Sequence, residues 1–73
     1  MQITEETLDM WFTYHAPTLE HIEKYKAIRE AARQFAQVIL EHTNPGPDQS
    51  ASFRQLRECV ATANSSIAFN GNS

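Results

Sequence analysis

Cationic side chains are the residues of this 73-residue chain whose type and spacing could do chemistry. All six lie between positions 24 and 57: Lys24, Lys26, Arg29, Arg33, Arg54 and Arg57. The whole chain nevertheless carries a net charge of −3, and Glu5, Glu6 and Asp9 crowd its beginning. A locally basic middle in a mildly acidic protein favours a small anionic ligand. Long nucleic acid, by contrast, needs a strongly basic footprint, so we do not expect it as a partner.

Residues for catalysis or metal binding do not form a recognisable pattern. The chain has no paired-carboxylate motif, no nucleophile elbow and no glycine-rich phosphate loop. The three histidines lack zinc-ligand spacing. Cys59 is the only cysteine, so it cannot form an intrachain disulfide, and no neighbouring histidine activates it. The sequence therefore predicts neither an enzyme nor a cofactor.

Helices must position the cations, and we expect three helices in a single domain. The predicted elements are a helix over about 3–12, a helix over about 18–42, a helix over about 49–69 and a flexible tail over 70–73. Pro17 pushes the residue before it into extended geometry and separates the first two helices. The segment 43–47 has two prolines flanking a glycine, which predicts a loop rather than helix.

Short polar residues stand where these helices begin. Thr4 can cap the first helix and Thr18 the second, because a threonine hydroxyl accepts from the free amides of a first turn. For the third helix, either Asp48 or Ser50 can serve as the cap. The sequence thus predicts one N-cap residue for each of the first two helices and two candidate N-caps for the third.

Apolar residues of the two long helices repeat at alternating spacings of three and four. The second helix has Tyr25, Ile28, Ala32, Phe35 and Ile39, and the third has Phe53, Leu56, Val60, Ala63 and Ile67. Matching seams and a short loop predict an antiparallel hairpin, so the fold class is all-α: a short N-terminal helix followed by a long hairpin. A core of this size is marginal without disulfides or metal, which predicts that the chain oligomerises.

The seam register divides the hairpin into two edges. One edge is basic and carries Lys26, Arg29, Arg33, Arg54 and Arg57. The opposite edge is small or uncharged, and we interpret it as a subunit interface: Ala27, Ala31, Gln34, Val38, Gln55, Cys59, Thr62 and Ser66, with Ala61, Ala63 and Asn64 beside them. The alternatives are a solvated polar edge there, and a solvated basic edge whose cations pair with Glu30 and Glu58.

Two ring side chains, Tyr14 and His15, lie just before the long helices. Tyr14 offers a flat face on which a ligand could stack, although a tyrosine more often packs within the protein. His15 is more typical of a turn residue with a hydrogen bond to the backbone. Both interpretations remain open from the residues alone.

Three motifs occur in order, and the family resemblance that they support extends over nearly the whole chain after residue 13. They are YHAPT at 14–18, IEKYKAIREAA at 22–32 and ATANSSIA at 61–68. Together they resemble the small phage-encoded anti-CBASS proteins that act as cyclic-nucleotide sponges. The resemblance implies rings of six subunits that bind cyclic dinucleotides such as 3′,3′-cGAMP, and cyclic trinucleotides, without cleaving them. It also implies that the protein blocks bacterial CBASS immunity from the cytoplasm of the infected host.

The resemblance assigns Tyr14 and Arg29 to a dinucleotide pocket, Tyr14 to stack on a base and Arg29 to hold a phosphate. Lys26, one turn earlier, supports them, and Arg33 and Arg57 are the candidates for a separate trinucleotide site. The full set of expected ligand-binding residues is Tyr14, His15, Lys26, Arg29, Arg33 and Arg57. Phe69 stands where some family members carry a cation, which departs from the family pattern.

A different class of function is also compatible with the sequence. A dimerising hairpin could inhibit a host factor by direct binding through its acidic N-terminal helix. A DNA-binding regulator is disfavoured by the net charge and by the lack of helix-turn-helix spacing. No apolar run approaches the roughly 20 residues of a membrane span, and residues 1–12 lack the pattern of a signal peptide.

Overall fold

The computed structural model describes residues 2–71. Three helices make up the described chain: α1 (Glu5–Phe12), α2 (Leu19–His42) and α3 (Pro47–Ala68). α2 and α3 pack against each other as the hairpin, whereas no Cα of α1 comes within 8 Å of a Cα in either long helix. The predicted all-α class, with a short helix ahead of a long hairpin, is confirmed. Within residues 2–71, no helix is both long and apolar enough to cross a membrane.

The first two helices begin where the sequence predicts. Thr4 and Thr18 both have extended backbone, so each helix begins at the residue that follows. The Oγ1 of Thr4 accepts from the Thr7 amide at 3.3 Å, and that of Thr18 accepts from the His21 amide at 3.1 Å. Each hydroxyl thus satisfies one of the amides that a first turn leaves without a partner. Both predicted caps are confirmed.

The start of α3 differs from the prediction. Its first residue is Pro47, its N-cap is Gly46, and no side chain caps it. Assigning the cap to Asp48 or Ser50 is therefore wrong, as is the placement of Pro47 in the loop. Proline suits a first helical position because its φ is already helical and its missing amide hydrogen has no partner there. Asp48 instead lies in the first turn, where a carboxylate favours the positive end of the helix dipole.

α3 ends in a hydrogen-bonded cap. The Asn70 amide donates to the carbonyl of Ile67 at 3.3 Å, and the Gly71 amide donates to that of Ser66 at 2.9 Å. Asn70 has a φ of +53°, which asparagine tolerates better than most residues. These two bonds define a Schellman motif, which satisfies the last carbonyls of the helix. The rest of the expected tail, residues 72–73, lies outside the described part of the chain.

The two seams meet, but they bury little. Every predicted seam residue is half-buried except Phe35, whose side chain is 56 % exposed, and no described residue is fully buried. The expectation that Phe35 packs inside the hairpin is therefore wrong. Two helices cover only one stripe of each other, and Phe35 lies at the margin of that stripe, beside Cys59 and Ala63.

Replacing Thr18 by alanine should lower the free energy of unfolding by about 1 kcal/mol, because the first turn of α2 loses the acceptor for His21. Urea denaturation at one fixed protein concentration measures the change. Thr18→Ser keeps the hydroxyl and should retain most of the stability. Equal stability of the alanine and serine variants would contradict the capping role.

Candidate ligand-binding site

A groove between α2 and α3 brings together three of the expected ligand-binding residues. Arg29 and Arg33 line it from α2, and Arg57 lines it from α3. Its floor is small and apolar, formed by Ala32, Ala36, Leu56, Val60 and Ala61. Its volume is about 430 Å³, within the range of small-molecule sites. We call this feature the basic groove.

The arginines of the basic groove have no carboxylate partners in the part of the chain that the structure describes. Within residues 2–71, no acidic oxygen lies within 4.0 Å of Arg29, Arg33 or Arg57. Arg33 donates instead to the neutral Oε1 of Gln37 at 3.0 Å. Three uncompensated guanidinium groups around one concavity create a positive potential that attracts an anion. Their planar forks also match the geometry of phosphate oxygens.

The pairing that would have neutralised the basic edge is largely missing. Glu30 lies 3.9 Å from Lys26 rather than beside Arg33. Within the described chain, Arg54 and Glu58 form no ion pair, although they line one shallow depression together with Arg57. The alternative in which Glu30 and Glu58 pair with the arginines is thus wrong for this structure.

The two lysines of α2 differ from the arginines in having acidic partners. Lys26 pairs with Glu30 and does not line the basic groove. Lys24 lies 3.0 Å from Glu20. Its hydrogen bond and its charge both lower the pKa of the Glu20 carboxyl. Exposed pairs of this kind contribute little to stability, so Lys26 remains available to exchange Glu30 for a ligand.

Asn64 is a groove residue that the sequence reasoning placed on the wrong edge. The sequence pattern predicts both Asn64 and Ala61 beside the small residues of the opposite edge, yet both line the basic groove. Its Oδ1 is buried and has no hydrogen-bond partner among the described residues. A buried acceptor without a partner is costly. The spacing offered a signal, because Arg57, Ala61 and Asn64 follow one another at intervals of four and three residues along one helix face.

Gln34 is a second residue that the sequence placed on the wrong edge. It lies on the outer face of α2 beside Arg29 and Arg33, not among the small residues. Gln37 continues this face by donating to Glu41 at 3.0 Å. The uncharged edge is therefore narrower than predicted on α2.

Tyr14 and His15 lie away from the basic groove. The Tyr14 side chain is 84 % exposed. It precedes the start of α2, whereas Arg29 lies about 15 Å further along that helix. His15 donates from Nε2 to the Met10 carbonyl at 2.9 Å, and its ring meets that of Phe69 edge to face at 5.7 Å. One copy of the chain does not bring Tyr14 and Arg29 into a common pocket.

The side of the hairpin opposite the basic groove is apolar and open. A depression there is lined by residues of both helices: Ile28, Ala31, Ala32, Phe35, Leu56, Cys59, Val60 and Ala63. We call it the apolar face. Ala31 and Cys59 lie on it as predicted for the small-residue edge. A concave apolar surface of this kind is suited to another protein surface rather than to water.

Comparison with known proteins identifies a family. The family model described as Acb2/Tad1, hairpin domain matches residues 4–68 of the chain. The matched region contains α1, the segment with Tyr14 and the whole of both long helices. No curated protein and no solved structure matches the chain.

Replacing Arg33 or Arg57 by glutamine should leave the free energy of unfolding within about 0.5 kcal/mol of the parent, because neither guanidinium has a carboxylate partner to lose. The half-buried Leu56 in the groove floor is the contrast. Leu56→Ala should cost about 1–2 kcal/mol, less than a fully buried leucine. Urea denaturation measures both, and a loss above about 1 kcal/mol in Arg57→Gln would contradict the unpaired state of Arg57.

Proposed function

Because the chain belongs to the Acb2/Tad1 hairpin family, the family of anti-CBASS cyclic-nucleotide sponges, we propose that it binds and sequesters cyclic oligonucleotide second messengers without cleaving them. Cyclic dinucleotides such as 3′,3′-cGAMP are the first candidates and cyclic trinucleotides the second. Withholding these messengers from the host effector blocks CBASS immunity in the cytoplasm of the infected bacterium.

The observation that carries the proposal is the set of unpaired arginines in the basic groove. A cyclic dinucleotide presents two phosphates, and each phosphate can accept two parallel hydrogen bonds from a guanidinium. Arg29, Arg33 and Arg57 are held in one concavity without competing carboxylates. No internal ion pair among the described residues therefore competes with a phosphate for these guanidinium groups.

Recognition of the bases needs aromatic faces and hydrogen-bonding edges. Tyr14 presents an exposed ring, and base stacking on an aromatic side chain contributes about 1–3 kcal/mol per base. The amide of Asn64 can donate to or accept from a base edge within the groove. Tyr14 does not line the basic groove of its own chain, so we propose that two copies complete the site. A two-fold ligand fits such a two-fold arrangement.

Self-association is the second part of the proposal, with six copies as the number that the family resemblance implies. Large apolar side chains are exposed between positions 3 and 40: Ile3, Leu8, Phe12, Leu19, Ile22, Phe35, Val38 and Leu40. The described residues of a single copy form no buried core. A second copy covering the apolar face supplies the burial that a chain of this length lacks.

A protein-interaction module that inhibits a host factor is the alternative, and α1 is the observation that favours it. No Cα of this helix lies within 8 Å of a Cα in α2 or α3. It presents exposed Leu8 and Phe12 beside the acidic Glu5 and Glu6. An amphipathic acidic helix of this kind can dock into a basic groove of another protein. Binding of a cyclic nucleotide by the isolated protein decides against this alternative as the primary function.

Calorimetric titration with a panel of cyclic dinucleotides and trinucleotides tests the binding proposal. We expect at least one ligand to bind more tightly than about 1 μM, or about −8 kcal/mol, because sequestration requires affinity below the messenger concentration. Tyr14→Ala and Arg29→Gln should each weaken this binding at least about tenfold, through lost stacking and a lost phosphate contact.

Lys24→Gln is the matched control for Arg29→Gln. It removes one positive charge from the same helix, but from a side chain that already pairs with Glu20. Its affinity should stay within about twofold of the parent, as expected for a solvent-exposed charge screened by salt. If no ligand binds below the micromolar range, the sponge proposal fails. If Arg29→Gln and Lys24→Gln weaken binding equally, the basic groove is not the site.

Phe35→Glu should dissociate the assembly, because a carboxylate on the apolar face must lose its water when a second copy covers it. Light scattering at several protein concentrations measures the mass. Gln34→Glu adds the same charge to the outer face of α2 and should leave the mass unchanged. A parent protein that is monomeric throughout, or a Phe35→Glu variant with the parent mass, would contradict the proposed interface.

A further inference from the structure

His15 contacts two parts of the molecule, the last turn of α1 and the end of α3. Its Nε2 lies 2.9 Å from the carbonyl oxygen of Met10, in the last turn of α1. Its ring stands at 88° to the ring of Phe69, with the centroids 5.7 Å apart. One imidazole therefore contacts both α1 and the end of α3, although no Cα of α1 lies within 8 Å of a Cα in α2 or α3.

This hydrogen bond determines which nitrogen of the His15 ring carries a hydrogen. A carbonyl oxygen can only accept, so the Nε2 of His15 carries the hydrogen and donates it. The final carbonyls of a helix have no partner within the helix, and His15 supplies one for Met10. The Thr13 amide serves the carbonyl of Asp9 in the same way at 3.1 Å. The end of α1 is thus closed by two hydrogen bonds from the residues on either side of Tyr14.

The Phe69 contact fixes the other side of the ring. Phe69 is the C-cap residue of α3, and it is half-buried. The two cap hydrogen bonds of Asn70 and Gly71 follow directly after it, so the backbone that carries Phe69 is held in place. An edge-to-face arrangement is the favoured geometry for two aromatic rings and contributes beyond the apolar area that it covers.

Tyr14 lies between these fixed points. Thr13 bonds to α1, His15 bonds to α1 and packs on α3, and Thr18 caps α2. Pro17 further restricts the backbone between them. The Tyr14 ring is 84 % exposed in spite of these restraints on its neighbours. The residues on both sides of Tyr14 are thus restrained while its aromatic face stays open.

We propose that His15 is a positioning residue, which orders the backbone of Tyr14 through Met10 and Phe69 and does not itself touch the ligand. Its effect on affinity rests on the proposed function, in which Tyr14 stacks on a base. Its effect on the order of the Tyr14 backbone is independent of the proposed function. Phe69 shares this positioning role, because Met10 and Phe69 hold the imidazole ring from opposite sides.

The ligand-free protein gives the first test, through the heteronuclear ¹⁵N relaxation of the Tyr14 amide. In the parent, this amide should be as ordered as the helices, with an order parameter near 0.85, and in His15→Ala it should fall below about 0.6. His42→Ala is the matched control, because His42 makes the same kind of bond to Val38 at 2.9 Å, at the far end of α2. It should leave the order parameter of Tyr14 unchanged. A fall equal to that in His15→Ala would show that losing any helix-end hydrogen bond disorders Tyr14, which would contradict a specific role for His15.

A double-mutant cycle on ligand affinity gives the second test. His15→Ala and Phe69→Leu should each weaken binding of the tightest cyclic dinucleotide about tenfold, and the double variant should be no weaker than either. Phe69→Tyr keeps the ring and should bind like the parent, whereas leucine keeps only apolar bulk. His15→Gln keeps a donor without the aromatic ring and should fall between the parent and His15→Ala.

Three results overturn the proposal. If Phe69→Leu binds like the parent while His15→Ala does not, His15 contacts the ligand directly. If the effects of the two substitutions add, the residues act separately. If Tyr14 remains ordered in His15→Ala, the imidazole does not position it. A parent that binds no cyclic nucleotide removes the proposed function alone, because the relaxation measurement still decides the role of His15.

Discussion

The packing of two long helices along a single seam is the constraint on which the rest of the structure depends. α2 and α3 meet through half-buried residues, and each helix leaves most of its circumference uncovered. The seam is sufficient to fix the register of the hairpin, and the register decides which side chains share a groove. Arg29 and Arg33 consequently meet Arg57 across one side, while Phe35 is left facing outward on the other. Ligand binding and self-association are thus two consequences of the same incomplete burial.

The lysines and the arginines of the hairpin differ in whether they form ion pairs. Both lysines of α2 have carboxylate partners one turn away, whereas the arginines of the basic groove have none among the described residues. An arginine kept out of internal pairs retains its bidentate geometry for an external anion. The Oδ1 of Asn64 in the same groove is buried and has no hydrogen-bond partner among residues 2–71. The groove therefore combines an apolar floor with polar groups that are not satisfied from within.

Local chemistry predicted much of the fold from the sequence. The caps at Thr4 and Thr18 and the three-helix order depend on neighbouring residues only, and they are confirmed. The family resemblance read from three motifs is confirmed by the match over residues 4–68. What failed depends on context that spacing does not contain. Pro47 can begin a helix or break one, and only the loop geometry decides between them. Asn64 is small enough for either edge, and its position follows from the rotation of α3 against α2. The contact of His15 with Phe69 joins residues 54 positions apart, which no local pattern reports.

Sequestration without cleavage is the central claim, and equilibrium dialysis with 3′,3′-cGAMP tests it most directly. Protein in molar excess over the ligand is placed on one side of the membrane, and free ligand is measured on the other. The account predicts that free ligand falls close to zero and returns in full, as the intact cyclic molecule, once the protein is denatured. Unchanged free ligand with this and every other cyclic dinucleotide or trinucleotide, or recovery of a linear product, would contradict it.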